Sequence, residues 1–418
     1  MLNKNKFRYL NKCRLCGSSN LSSLINFGQV PLGNNLLKNK KSALHADQYP
    51  LEVMCCLDCN HFQLSCAVDP EILYATNYTY LSGVGLSFLK HINNYVQWIE
   101  NKTQISTSSI IVDIGSNDGT CLESFMEKGY RVCGVDPAKL AVEISRKKGI
   151  YTINNFFNEE AYQEIIKKFG KVDLITSQNV LAHVDNIRFT FKKIYELLKE
   201  RGYFVFEVGY FKNVLELGTF DTIYHEHIDY HHASPLVKFL TSIGFDVIDI
   251  ENNNMQGGSI RFLLQKTGCG VIHKSASNFL LLEKKSAIYD KEFLKNWPKK
   301  IIYLSSKIKK IIQNEKKKGI PCFAYGSPTK AILLLKMAKI SSNEIDFVVE
   351  DNEYKIGRFL PNTTLPIFPV NYLDFNKKST ILILAWNFSD DIIVKLKKFY
   401  KVSIKVIVPI PKLEVFDI

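Results

Sequence analysis

Two Cys-x-x-Cys pairs, Cys13/Cys16 and Cys56/Cys59, constrain this chain more than any other feature of its sequence. Each short turn can present two thiolates to one tetrahedral Zn2+, so the two pairs together describe a closed four-sulfur site of the structural kind. Six of the ten cysteines (Cys13, Cys16, Cys55, Cys56, Cys59 and Cys66) crowd the N-terminal end. The other four, Cys121, Cys133, Cys269 and Cys322, stand in apolar surroundings, where a free thiol reads as a small core residue. The N-terminal stretch is positively charged but has no apolar h-region, so neither a secretory signal nor a disulfide framework is expected. Residues 1–68 therefore read as a small domain held together by one metal ion. The interval between the pairs, 17–55, exceeds the usual spacing of a zinc ribbon, which leaves Cys55, His61 and Cys66 as substitute ligands.

Beyond residue 68 the pattern changes to strands alternating with helices of about 10–15 residues, the signature of βαβ units and a parallel sheet. Helical spacing of Leu86, Leu89, Ile92, Tyr95 and Ile99 leads into a strand ending in Val112-Asp113-Ile114. Helices over 122–128, 139–148, 159–169 and 187–200 then interleave with strands over 131–135, 151–154, 172–177 and 202–208. Residues 275–318 read as mostly helical and broken at Pro298. A second α/β run follows, with strands near 321–326, 346–350, 381–386 and 403–409. The expectation is an α/β protein in three parts, 1–68, 69–300 and 301–418, in line with ~150 residues per domain.

Several classes are excluded or disfavoured. The longest apolar run, Ile381 to Trp386, is far short of the ~20 residues a membrane-spanning helix needs. A soluble, cytoplasmic protein is expected. The excess of 54 Lys and Arg over 41 Asp and Glu gives +13, but the charge is dispersed and the cysteine-rich segment lacks the interleaved basic and aromatic residues of a stacking platform. Nucleic acid is therefore not the expected partner; a phosphate-bearing small substrate would use the same field. Nothing resembles a coiled coil, so a monomer or weak dimer is the default.

Three motifs carry chemistry. The first runs from Asp113 through Gly115-Ser116-Asn117-Asp118-Gly119, a strand, a tight turn and a helix start, with Asp136 at the end of the next strand where a carboxylate can take ribose hydroxyls. The pyrophosphate-binding GxGxxG is absent, and the carboxylates Asp113 and Asp118 would repel pyrophosphate. They suit a cofactor with a ribose and an amino-acid ammonium, which points to S-adenosylmethionine ahead of a dinucleotide. The second motif, Tyr224 to His232, holds four of the nine histidines after a strand, with His183 and Asn179 following another. Tyr224, Glu226 and His227 supply what general-base chemistry needs: an imidazole near neutrality, a carboxylate to orient it and a hydroxyl for developing oxyanion charge. A second metal site, or histidines merely satisfied in a core, are the competing readings. The third, Tyr325-Gly326-Ser327-Pro328-Thr329-Lys330, reads as strand, turn and helix start, with Asp351 beyond it in the manner of a second Rossmann-like unit. It is either a phosphate site or a plain βα turn. Arg261, in the Gly-rich segment after Asn254, reads as a structural ion-pair partner ahead of an anion contact.

Taken together, the two knuckles with Cys59-Asn60-His61-Phe62-Gln63-Leu64, the VDIGSNDGT turn, NVLAHV, YHEHIDY, YGSPTK, VVEDNEYKIGR and LILAWN resemble the nucleotide-sugar C-methyltransferases of deoxysugar biosynthesis over nearly the whole chain. The resemblance implies a zinc-binding N-terminal domain, a Rossmann-like class I methyltransferase domain and a C-terminal Rossmann-like domain that binds the nucleotide sugar. It implies S-adenosylmethionine as cofactor, a structural zinc on Cys13, Cys16, Cys56 and Cys59, and deprotonation next to the ketone of a 4-keto-deoxysugar, with the enolate carbon taking the methyl group. His227 would be the base, supported by Glu226 and Tyr224; His183 and Tyr78 would line the sugar pocket. Asp113, Gly115, Ser116, Asn117, Asp118, Gly119, Asp136 and Asn179 would hold the cofactor, and Tyr325, Gly326 and Lys330 the nucleotide diphosphate. Asn60, where the second knuckle of the family commonly carries Gly, and Ser327, where Ala often follows Tyr-Gly, depart from the pattern. An O- or N-methyl acceptor, a zinc-containing nucleic-acid methyltransferase and a non-catalytic scaffold are the alternatives. No NPPY-like or PCQ-like segment supports base methylation, and both the cofactor turn and the YHEH cluster are intact.

Overall fold

A computed structural model describes residues 6–75, 81, 83 and 86–418 of the chain. By spatial clustering of the described residues the chain divides into two units, each assembled from separate stretches. The first takes in Met1–Ser22, Met54–Phe211 and Glu226–Tyr289; the second takes in Ser23–Val53, Lys212–His225 and Asp290–Ile418.

The first unit is built on a seven-stranded sheet in the order Phe245–Asn253, Ser259–Lys266, Leu198–Gly209, Val172–Gln178, Ile110–Ile114, Arg131–Val135, Tyr151–Ile153. The last five of these run parallel, and the first two form an antiparallel hairpin on the Leu198–Gly209 edge. All five residues of Ile110–Ile114 are buried, as in a central parallel strand covered on both faces. The pleat sends Ile110, Val112 and Ile114 into one apolar cluster with Phe191, Phe204 and Phe206, and Ile111 into another with Tyr95, Leu122 and Phe125. Phe191 alone lies edge-on to Phe204, Phe206 and Phe239, at 5.3–5.8 Å between ring centres. Truncating such a ring costs roughly 3–5 kcal/mol. The helix Glu159–Phe169 stands where its pattern predicts. Asn158 caps it by accepting from Ala161 N, and Glu159, Glu160 and Lys167, Lys168 oppose its dipole at the two ends.

The first unit differs from expectation at three points. The helix predicted over 187–200 ends at Leu197, because the chain passes directly into the strand Leu198–Gly209, whose register shifts between Leu198 and Tyr203. The hairpin of Phe245–Asn253 and Ser259–Lys266 was not anticipated. Cys269 is half-buried on a turn rather than in the core.

The second unit carries a six-stranded sheet in the order Ile367–Pro369, Val348–Glu350, Cys322–Tyr325, Thr380–Ile383, Lys405–Val408, Glu414–Asp417, parallel except for the last strand. Pro298 does not break the preceding helix, which runs unbroken over Lys291–Lys317. Proline there removes one ladder hydrogen bond. The buried stripe of Trp297, Ile301, Ser305, Ile308 and Ile312, with Trp297 Nε1 donating to Leu215 O, keeps the helix in place on both sides of it. Among the described residues no helix is long and apolar enough to cross a membrane.

Candidate active site and metal centre

The two knuckles fold alike. Gly17 and Asn60, each one residue past its second cysteine, adopt left-handed φ of 80° and 64°, and each donates its N–H to the carbonyl of the first cysteine. Asn is the non-glycine residue that tolerates this region best, which accounts for Asn60. The turns bring the Sγ atoms of Cys13, Cys16, Cys56 and Cys59 within 4.8 Å of one another, with Cys13–Cys59 at 3.5 Å and Cys16–Cys56 at 3.6 Å. A tetrahedron with Zn–S of ~2.3 Å has sulfur edges of ~3.8 Å, so the set fits one structural zinc. Contact with Cys59 holds the Cys13 thiol below its ordinary range, and a thiolate is the form a metal takes. Cys55, His61 and Cys66 are not in this cluster; burial pushes the Cys55 thiol up to about 12, and His61 Nε2 lies 2.9 Å from Asp229.

In the cofactor turn Gly115 has φ of 74°, and a Cβ there would lie 2.2 Å from Val180 Cγ2; no other residue fits. Asp136 holds the turn by accepting from Asn117 N (2.9 Å) and Ala138 N (2.8 Å). Asp118 accepts from Gly83 N and from Thr120 Oγ1. Asp113 accepts from Thr176 Oγ1 at 2.7 Å, and burial pushes its carboxyl up to about 7. Asn179, with φ of 54°, donates its N–H to Glu207 O. Two buried polar atoms nearby have no partner among the described residues, Ser116 Oγ in the turn and Gln178 Oε1 at the end of the adjoining parallel strand. Buried polar atoms are nearly always satisfied, so an orphan pair beside a glycine turn fits a polar cofactor.

The loops bearing His183 and His227 are laced together. Ala182 O accepts from Ile228 N (2.8 Å) and Asp229 N (3.2 Å), and Asp229–Tyr230 pairs with Phe62–Leu64. The His183 and His227 rings meet edge to face, 4.8 Å between centres. Tyr74 Oη donates to Glu226 O at 3.1 Å and lies 3.0 Å from His183 Nδ1. With its proton on the carbonyl, the hydroxyl accepts from His183 Nδ1–H, which leaves that ring's lone pair on Nε2. Burial first, and then the His227 ring, hold the His183 imidazole well below its ordinary range, so it stays neutral. Glu226 is buried, 3 % exposed.

The first unit thus brings the His183 and His227 rings together and also carries Glu226 and the Gly115–Gly119 turn. Tyr224, Tyr325, Gly326 and Lys330 belong to the second unit, and Tyr78 (with its neighbour Tyr80) lies outside the described residues. His225, also in the second unit, faces Tyr49 O at 3.3 Å, and burial brings it down to about 4. In the 325–330 turn, Tyr325 Oη donates to Asp351, and Glu350 accepts from both Ser327 N and Ser327 Oγ. Lys330 Nζ sits 3.6 Å over the Trp386 ring, whose Nε1 donates to the buried Asp221; burial pushes that ammonium down to about 8 against the pull of Asp221. Arg261 is paired with Glu207 and buried, as its structural reading expects. Sequence reasoning missed Arg14, Tyr74 and Asp229. Arg14 Nε donates to Asp229, and although burial would raise that carboxyl, Arg14 and then His61 hold it down at about 2. Their signal was slight: an arginine inside a Cys-x-x-Cys turn and an aspartate two residues after His227.

The chain matches three protein-family models in succession: a zinc binding domain over residues 13–74, a methyltransferase domain over 90–250 and a C-methyltransferase C-terminal domain over 254–411. It is 28% identical to C-methyltransferase NovU of Streptomyces niveus over 406 residues, 97% of this chain and 96% of that one. It is 30% identical to a ubiquinone biosynthesis O-methyltransferase of Pelagibacter ubique over 95 residues, 22% of this chain and 38% of that one. Among solved structures, magnesium protoporphyrin IX methyltransferase from Synechocystis with bound SAH matches with a TM-score of 0.35 and 13% identity, covering 44% of this chain and 88% of that one. The protein is an enzyme that uses S-adenosylmethionine, and its four-cysteine cluster fits the zinc binding domain.

Proposed function

We propose, since the chain belongs to the S-adenosylmethionine-dependent C-methyltransferases, that its acceptor is the carbon beside the ketone of a nucleotide-linked 4-keto-deoxysugar. The cofactor supplies a methyl group already activated by its sulfonium. What remains for the protein is to make carbon nucleophilic: to remove a proton next to the carbonyl and to steady the charge that moves onto oxygen.

The observation that carries this reading is the edge-to-face pairing of His183 and His227, on loops at one end of the sheet that also bears the cofactor turn. Loops at the C-terminal ends of parallel strands are where α/β folds do their chemistry. In the proposal His227 takes the proton. Neutral His183 beside it adds no charge to oppose the imidazolium that forms, and the buried Glu226 stabilises it. Tyr224 and Tyr78 serve the oxyanion and the sugar. Asp113, Gly115, Ser116, Asn117, Asp118, Gly119, Asp136 and Asn179 hold the cofactor, with Ser116 Oγ supplying an unused hydrogen bond. Tyr325, Gly326 and Lys330 meet the nucleotide diphosphate.

The test is mass spectrometry of a panel of 4-keto-6-deoxysugar nucleotides incubated with the protein in D2O, with and without cofactor. Deuterium uptake next to the ketone without cofactor, and a methyl gain with it, are expected. His227→Asn should lower both by ~10²–10⁴ while calorimetry shows cofactor affinity unchanged. Methyl transfer at the wild-type rate in that variant would remove His227 from the mechanism, and no uptake across the panel would move the acceptor to oxygen or nitrogen.

A further inference from the structure

Arg14 lies inside the first zinc knuckle, and its guanidinium is spent entirely on the two loops that carry the paired histidines. Nε reaches Asp229 Oδ1 at 2.9 Å and Oδ2 at 3.0 Å, Nη1 donates to Asp185 O at 3.0 Å, and Nη2 to Val184 O at 2.6 Å. Val184 and Asp185 follow His183 directly, and Asp229 stands two residues after His227. The side chain is 7% exposed and its carboxylate partner fully buried. His61, two residues past the last knuckle cysteine, reaches the same carboxylate at 2.9 Å, and Arg14 N donates to Gln63 Oε1 at 2.8 Å. Only arginine offers several donors in one rigid plane; lysine brings the charge without the fork.

We infer that Arg14 is a positioning residue: from the zinc knuckle it fixes the spacing of His183 and His227 by clamping the backbone beyond one and the carboxylate beyond the other. The knuckle is then more than a clasp for the N-terminal segment, because the turn that orients Cys13 and Cys16 also aims the guanidinium between them. A misplacement of ~1 Å at a reacting pair is worth about 10² in rate. The catalytic consequence rests on the proposed role of His227; the geometric one does not.

The experiment therefore reads both. Arg14→Lys and Asp229→Asn are compared with the wild type and with His227→Asn. Zinc content is measured with a metallochromic dye and cofactor affinity by calorimetry. The ring Cε1–Hε1 signals of His183 and His227 are followed by NMR, assigned with His183→Asn and His227→Asn. The inference expects one zinc and unchanged cofactor affinity in Arg14→Lys, displaced signals for both rings, and deuterium uptake down ~10²-fold in kcat with KM held. Both ring signals at their wild-type positions overturn it, whatever the activity. So does a loss of uptake that merely follows the folded fraction. Displaced rings with uptake unaffected in His227→Asn would sink the base assignment and leave the clamp standing. Should neither variant fold, stepwise chelation of the wild-type protein gives the same spectrum: signals that stay put as zinc leaves overturn the inference, and signals that move with it support it.

Discussion

Replacing His225 with glutamine tests whether burial alone can make a histidine an acid-labile joint. His225 is 1% exposed, and burial brings its imidazole down to about 4 from an ordinary value near 6.5. The folded chain therefore needs it neutral, whereas the unfolded chain takes up a proton below ~6.5. A group depressed in this way contributes stability that is intact above ~6.5 and is lost as the pH falls toward 4. The loss is about 1.4 kcal/mol per pH unit, or roughly 2 kcal/mol by pH 5. That is a large part of the ~5–15 kcal/mol that holds a domain together. Other groups act in the same window: Asp113, raised to about 7 by burial, works in the opposite direction, since its contribution is full at low pH and fades as the pH rises. The raw pH profile is thus a composite, and the informative quantity is the gap between His225→Gln and the wild type. Glutamine can still donate to Tyr49 O, so its cost at pH 7.5 is a fixed offset. Urea midpoints read by circular dichroism between pH 7.5 and 4.5 should show the variant gaining roughly 2 kcal/mol on the wild type by pH 5. Zinc release in acid affects both proteins alike and cancels. A difference that stays constant across that range, or that moves toward acid in the wild type's favour, refutes the reasoning.

Two further outcomes follow from the site geometry. Gly115→Ala meets Val180 at 2.2 Å in a left-handed conformation, so cofactor affinity measured by calorimetry should fall at least tenfold, a cost of ~1–2 kcal/mol from backbone strain alone; wild-type affinity would show that the turn relaxes freely. Cys16→Ser removes the one exposed ligand of the four-sulfur set, and its melting midpoint should match that of the wild type in chelator, with no bound metal by metallochromic titration; a full equivalent of retained zinc would point to a different ligand set.

How far the fold could be read in advance depended on how local its causes are. The helix Glu159–Phe169 carries its own cap and its own charge pattern, and Arg131–Val135 its own apolar run, so both stand where periodicity puts them. The zinc knuckles and the glycine turn are equally self-contained. Pro298 misled because a helix interior tolerates a lost hydrogen bond when buried residues on either side hold it, and those partners are distant in sequence. The site was half legible. His183 and His227 announce themselves by chemistry, but the residues around them do not: Arg14 meets Asp229 across 215 positions, and Tyr74 meets His183 across 109. No spacing rule connects such pairs. Nor does any composition reveal that Glu350 takes the Ser327 amide in the second glycine turn.

The twin turns of the metal centre also say where this gene can change length. Each knuckle draws its geometry from one short stretch, Cys13 to Ser18 and Cys56 to His61, closed by two backbone hydrogen bonds at the first cysteine. The first residues of the interval tie the knuckles to each other, Asn20 O accepting from Leu57 N and Asp58 from Ser18 Oγ and Asn20 Nδ2, whereas Ser23–Val53 clusters with the other unit. Lengthening a connecting segment costs little, roughly 0.6 kcal/mol per doubling. Insertions between the knuckles are therefore cheap for the metal, whereas one residue added within either turn leaves two sulfurs facing apart. Descendants of this chain can be expected to vary in length between the strands Leu21–Pro31 and Gln48–Cys56 of the interval and hardly at all in the two clasps.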